Sequence, residues 1–174
     1  MTEDSNAIAA IIEQHGRNFL ARDADALIDA FDDTYPHLTH LPTERMDALR
    51  GFAEISEYYR GIVRAFCPLS WDVSDVIIDF LGADFAFALC RVSVPYKLED
   101  LPAESLPPYH TGVGHWEGRC RYVFRRRGDA WKIIHLEDST CENFRPGQLQ
   151  QFYDRRLGEL RDLAISLISQ PSDT

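Results

Sequence analysis

No run of apolar residues in this chain approaches the roughly 20 needed to span a bilayer, and the opening MTEDSNAIAA lacks the basic start of a secretory signal. The expectation is a cytoplasmic protein with no membrane partner. Cysteine is sparse: Cys67, Cys90, Cys120 and Cys141 lie far apart without a CxxC pair, which argues against a zinc module and gives little support for a disulfide framework. They read as reduced, small apolar fillers. Positive charge is short as well, with 18 Lys and Arg against 28 Asp and Glu, for a formal net charge of -10. That balance disfavours nonspecific binding to nucleic acid or anionic lipid and leaves small molecules or proteins as partners. The one basic run, Arg125-Arg126-Arg127, reads as a solvated tip rather than a phosphate site. Glycine is not arranged for nucleotides, since GVG at 112–114 has neither the GxGxxG spacing nor a following helix, and no GxSxG elbow is present. HLTH at 37–40 has two histidines without an acidic residue at ligand spacing, so no metal is expected.

What is present suits one domain of 174 residues, with a core over about 6–140. Ile8, Ile11, Ile12, His15, Phe19 and Leu20 recur at helical spacing, and the spacing predicts a helix over 6–22 capped by Ser5 or Asn6. Asp23 caps a second helix over 24–31. Residues 32–51 lose the period and should be irregular, with a short strand near 38–41. Helical spacing resumes over 52–66 through Ile55, Tyr58, Tyr59, Ile62 and Val63, and Pro68 ends it. Strands follow at about 71–81 and 85–96, then a Pro-rich excursion at 95–114 that reads either as a binding loop or as a disordered insertion. A last amphipathic helix is expected over about 147–169. Helices first and an antiparallel meander afterwards is an α+β order: a curved antiparallel sheet wrapped on N-terminal helices, forming a cone with a pocket.

The most ordered stretch is HWEGRCRYVFRRRGDAWKIIHLEDS at 115–139, two strand-like segments around Arg127-Gly128. Pairing Arg126 with Asp129 sets Phe124 opposite Trp131, Tyr122 opposite Ile133, Cys120 opposite His135 and Gly118 opposite Glu137. One face then carries Trp116, Cys120, Tyr122, Phe124, Trp131, Ile133, His135, Glu137 and Ser139. Holding nearly all the aromatic surface, this face is expected to be the covered one.

Three stretches carry a resemblance to a known family: ARDADALIDAF with its following acids, RMDALRGFAEISEYYRGI, and GRCRYVFRRRGDAWKIIHLEDS. Together they resemble the SnoaL-like proteins of the nuclear transport factor 2-like superfamily. The last departs from the family's closing pattern in carrying Glu137 where a second histidine is usual. The resemblance implies a cone-shaped fold, homodimers through the open sheet face, and no required cofactor. It does not fix the activity, because the same fold hosts isomerases, cyclases, dehydratases and noncatalytic association domains. Set against ketosteroid isomerase, the general-base position falls near Thr39, the oxyanion-donating tyrosine at His15 and the protonated aspartate near Cys120. None matches in residue type, which argues against a steroid isomerase mechanism.

For chemistry, a strand at 38–41 sends His37 and His40 to opposite faces, so only one can point inward; His40 is the candidate base, against the alternative of two solvated loop histidines. His135 and Glu137, two apart on a strand and so about 7 Å from each other, read as an acid/base pair or as a polar pair ending a core strand. Arg91 could take a carboxylate or enolate oxygen, or pair with an Asp or Glu. Tyr58, Trp116 and Tyr122 read as pocket walls or as core. The expected function is a cofactor-independent lyase, isomerase or cyclase acting on a small hydrophobic carbonyl compound, with His40, His135 and Glu137 catalytic and His15, Tyr58, Arg91, Trp116 and Tyr122 binding substrate. The alternative is a noncatalytic ligand-binding or assembly module.

Overall fold

Thr2 opens the first helix. Its hydroxyl accepts from the Ser5 amide at 3.2 Å, starting α1 (Glu3–Leu20) a turn ahead of the Ser5 or Asn6 cap expected from sequence. In this computed structural model residues 2–99 and 113–140 are described; the expected helix at 147–169 and the centre of the 95–114 excursion lie outside them. Asp23 caps α2 (Ala24–Asp29) by accepting from the Ala26 amide at 2.9 Å, as read. A two-residue β2 (Leu49–Arg50) joins the expected short strand, β1 (Thr39–Leu41). Helix α3 (Gly51–Ala65) stops before Pro68 because Phe66–Pro68 is itself a strand, β3, paired with Tyr96–Leu98. The Arg22 guanidinium closes the helix end, donating to the carbonyls of Val63 at 2.8 Å and Arg64 at 2.6 Å.

Four long strands follow the helices: β4 (Asp72–Phe80), β5 (Phe85–Leu98), β6 (Val113–Arg127) and β7 (Ala130–Thr140). The described residues form one seven-stranded sheet in the order β2-β1-β7-β6-β5-β3, with β4 also on β5. All pairs are antiparallel except β1 with β7. Alternation along β5 and β6 turns Ala86, Ala88, Cys90, Val92, Cys120, Tyr122 and Phe124 inward, each at most 2% exposed. Helix α1 packs on β3 and β4 while α3 packs on β1, β2 and β3, so the core lies in the hollow between helices and curled sheet.

The final hairpin differs from the sequence register in two ways. Its turn is at Gly128-Asp129, with Gly128 at φ 62, so Arg127 rather than Arg126 closes the pair, opposite Ala130. Phe124 faces Ile133, yet the next partners are Val123 and His135, so Ile134 is an extra residue on β7. This β-bulge reverses the alternation beyond it. Ile133 and Ile134 are both buried, and from there Leu136 and Asp138 share the inner face with Tyr122 and Cys120. His135 and Glu137 go to the outer face, opposite Val123 and Arg121.

The arginine run at the hairpin tip is ion-paired, correcting the solvated reading. Arg125 Nη2 lies 2.7 Å from Oδ2 of the fully buried Asp32. Arg126 bonds Asp4, whose other oxygen accepts from Trp131 Nε1 at 3.1 Å, and Arg127 bonds Asp33. Burial pushes the Asp32 carboxyl up, but two bonds from Thr34 and the charges of Arg125 and Arg127 outweigh it and hold the group below its ordinary value. These pairs fasten the tip to α1 and to the segment after α2.

Candidate active site

Between α1, α3 and the sheet is a cavity of about 300 Å³, at the small end of ligand-binding pockets. Its walls are Phe19, Phe66, Trp71, Tyr96, Trp116 and Tyr122, with Phe19 and Trp71 stacked at 4.9 Å. Few polar groups interrupt this lining. Helix α1 contributes His15, ringed by Phe19, Tyr59, Trp71 and Tyr122, its Nδ1 buried without a hydrogen-bond partner among the described residues. Burial, helped by His40, drives the His15 pKa down to about 3, so this imidazole stays neutral. Tyr58 of α3 donates to Glu44 Oε1 at 2.8 Å, and both reach the lining. No Lys or Arg lines the cavity among the described residues.

Asp138 stands on the sheet wall of the cavity, its side chain 23% exposed. Burial raises its pKa to about 7; the Cys120 thiol opposes this by hydrogen bonding, while Glu44 and Glu137 add to it. A carboxyl poised there can give or take a proton near neutrality. Behind it His40, 1% exposed, lies flat on Tyr59 at 5.6 Å. Its Nδ1 is 3.1 Å from the Leu136 carbonyl, which fixes the proton on Nδ1 and leaves Nε2 as an acceptor 4.0 Å from Asp138 Oδ2. Burial holds the His40 pKa down at about 4. The usual order is thus inverted: the carboxyl, not the imidazole, is the group that takes up a proton nearer neutrality.

The structure gathers some of the predicted residues and scatters others. His15, Tyr58, Trp116 and Tyr122 line the cavity, and His40 is buried one layer behind it while His37 is exposed. His135 and Glu137 do not reach it. The bulge puts them outside, where His135 Nδ1 is 2.7 Å from Thr39 Oγ1 and Glu137 accepts from Arg121 at 2.7 Å. Arg91 is also outward, 46% exposed and bonded to Glu117, the ion-pair alternative of the sequence reading. Asp138 is the residue that sequence reasoning missed. Its signal was the doublet Ile133-Ile134, two large apolar residues in succession, with Leu136 then in phase with Asp138. Among the described residues no three His, Cys, Asp or Glu side chains cluster as metal ligands.

Helices packed into a strongly curled half-barrel sheet are the cone of the nuclear transport factor 2-like, cystatin-like fold, and solved structures agree. A protein from Novosphingobium aromaticivorans provisionally described as a scytalone dehydratase aligns with TM-score 0.64 at 16% identity, over 79% of this chain and 83% of that one. A ketosteroid isomerase-like protein from Erwinia carotovora atroseptica gives 0.64 at 17%, over 82% and 99%. A nuclear transport factor 2-like superfamily protein from Salmonella enterica gives 0.61 at 18%, over 81% and 93%. At such identities the likeness establishes the fold. No protein-family model and no curated protein matches the sequence. Among the described residues no helix is long and apolar enough to cross a membrane.

Proposed function

We propose that this chain is a cofactor-independent acid/base enzyme, a lyase, isomerase or cyclase, acting on a small hydrophobic carbonyl compound, with Asp138 as the group that moves the proton. The observation that carries the reading is a carboxyl with its pKa raised to about 7 on the wall of an aromatic cavity, with a neutral imidazole behind it. As carboxylate, Asp138 takes a proton from the carbon next to the carbonyl. The C–H electron pair moves into an enolate, whose oxygen receives a hydrogen bond from Tyr122, a hydroxyl that burial keeps protonated. Returning the proton to another carbon of the enolate is isomerisation. Attack of the enolate carbon on a second carbonyl of the same molecule, with the proton going to the alkoxide so formed, is cyclisation. Collapse of the enolate to a C=C bond as a β-hydroxyl takes the proton and leaves as water is a lyase step. His40 stands behind Asp138 with Nε2, 4.0 Å from Oδ2, as an acceptor toward the acid form. An apolar ligand that covers the carboxyl raises its pKa further and so makes the carboxylate a stronger base.

With it we propose that the chain is of the SnoaL-like, polyketide cyclase-like branch, on the resemblance of its closing hairpin, and a cytoplasmic homodimer that uses neither nucleic acid nor membrane, on its net charge of -10. Sedimentation equilibrium tests the dimer. The activity is tested by exchange of the α-protons of 2-tetralone in D2O, followed by NMR. Wild type should accelerate exchange and D138N should lower the rate at least 100-fold, while both quench tryptophan emission on binding the ketone. Equal exchange by the two proteins removes Asp138 from the reaction. Binding without exchange by either favours the noncatalytic module.

A further inference from the structure

Two thiols stand beside the proposed acid/base group, and the reaction above gives them no task. Cys90 on β5, Cys120 on β6 and Asp138 on β7 are successive register partners, so three side chains form one row across the inner face. Facing residues on antiparallel strands bring their Cβ atoms to about 5 Å. Both cysteines are free thiols, 1% and 2% exposed, and Cys120 lines the cavity next to Asp138. Its thiol stands between Cys90 on one side and Asp138 on the other, and these neighbours together with burial hold it firmly protonated.

The remaining groups around Asp138 do little for a negative charge. His40 from β1 is neutral, with its proton committed to the Leu136 carbonyl. Glu44, from the segment after β1, and the adjacent Glu137 repel a carboxylate. The hydroxyl of Tyr58 on α3 is taken by Glu44. Tyr59 on α3 and Tyr122 on β6 lie near enough to feel the charge. Cys120 alone among the described neighbours acts on Asp138 to favour the carboxylate. A thiol suits the place, because it packs in an apolar wall as a small hydrophobe and still carries one proton to donate.

We propose that Cys120 is a positioning residue for Asp138: its S–H, backed by Cys90, donates to the carboxylate, fixes its orientation and holds its charged form in the cavity. The inference rests on the acid/base reading for its importance to turnover, but not for its test. Aspartate labelled with 13C at the side-chain carboxyl is titrated by NMR in the full chain, the Asp138 signal being the one lost in D138N. Wild type should titrate near 7. C120A should move the midpoint up by roughly one unit, since a hydrogen bond to a charged group has about that effect. C120S should restore it, and C90A should move it less than C120A. Midpoints unchanged in both C120A and C120S overturn the proposal.

A wild-type midpoint in the ordinary carboxylate range that C120A still raises sinks the acid/base reading and keeps the role of the thiol. If C120A does not fold, the infrared S–H stretch of wild type decides. Raising the pH through the Asp138 midpoint should shift that band to lower frequency, and D138N should abolish the shift. A band that does not move in wild type overturns the proposal.

Discussion

Replacing Asp138 by Asn should stabilise this protein at neutral pH, and the gain should vanish in acid. Burial raises the folded-state pKa to about 7 from an ordinary value of 3.8. Between those limits the native chain binds a proton at this site that the unfolded chain has released. Stability therefore falls as pH rises, by about 1.4 kcal/mol per unit. Roughly three units of window give a ceiling of about 4 kcal/mol, and screening at a side chain 23% exposed reduces this to about 2–4 kcal/mol. Asn keeps the shape and an acceptor for Cys120 but cannot ionise. The stability difference between D138N and wild type should hence be flat below about pH 4, climb through pH 5 and 6, and level off above about pH 7. Urea unfolding at half-unit intervals from pH 4 to 8 measures it, and subtracting the two curves cancels every other titrating group. A difference that stays constant from pH 5 to 8 would refute the claim that this carboxyl is desolvated, and with it the case for Asp138 as a proton carrier.

The other predictions concern the same hollow and its fastening. Burial holds the folded-state pKa values of His15 and His40 at about 3 and about 4, below the ordinary imidazole value of 6.5. The unfolded chain binds their protons first, so stability is lost as pH falls below 6.5; H15F should make the slope between pH 5 and 6 shallower by about 1.4 kcal/mol per unit in the same unfolding series. R125A leaves the buried Asp32 carboxylate with Thr34 and an Arg127 nitrogen 3.7 Å away. It should cost about 2–4 kcal/mol by chemical denaturation, most of it recovered in the double variant with D32N. G16A tests the wall: a Cβ there would lie 2.3 Å from Trp71, which is stacked on Phe19. Helix propensity alone would make that change stabilising by about 1 kcal/mol; the clash should reverse the sign to a loss of about 1–3 kcal/mol and shift the tryptophan emission.

Much of the architecture was legible in the sequence because the interactions that decide it are periodic and local. Ile8, Ile12, His15 and Phe19 are all buried on one stripe of α1, as their spacing required. Alternation in GRCRYVF picked out the inner face of β6, Cys120, Tyr122 and Phe124 all being buried. Asp23 caps α2 by a bond spanning three residues, which a sequence can display. Strand β3 was not legible: Phe66–Pro68 is three residues long and owes its state to Tyr96–Leu98, some thirty positions away. The arginine tip failed for the same reason, since its partners Asp4, Asp32 and Asp33 are about a hundred positions distant.

The site was half legible, and one inserted residue accounts for the other half. Strict alternation through KIIHLEDS puts His135 and Glu137 with Trp131 and Ile133, a polar pair that invites a catalytic reading. The chain instead gives Ile134 no partner of its own, and the phase slips by one. Burial provides the reason. Without the bulge Leu136 would face out while a half-buried imidazole and a carboxylate faced in, close to Tyr122 and Cys120. With it Leu136 is 1% exposed in the core, and Glu137 meets Arg121 outside. The cost of that arrangement is one inward carboxyl, Asp138, on a wall with no cation among the described lining. A structural carboxylate would be expected to have acquired a basic partner, as Asp32 did with Arg125. Asp138 has a thiol and a neutral imidazole, which leave it able to exchange its proton near neutral pH, and that is the property a proton-transfer catalyst requires.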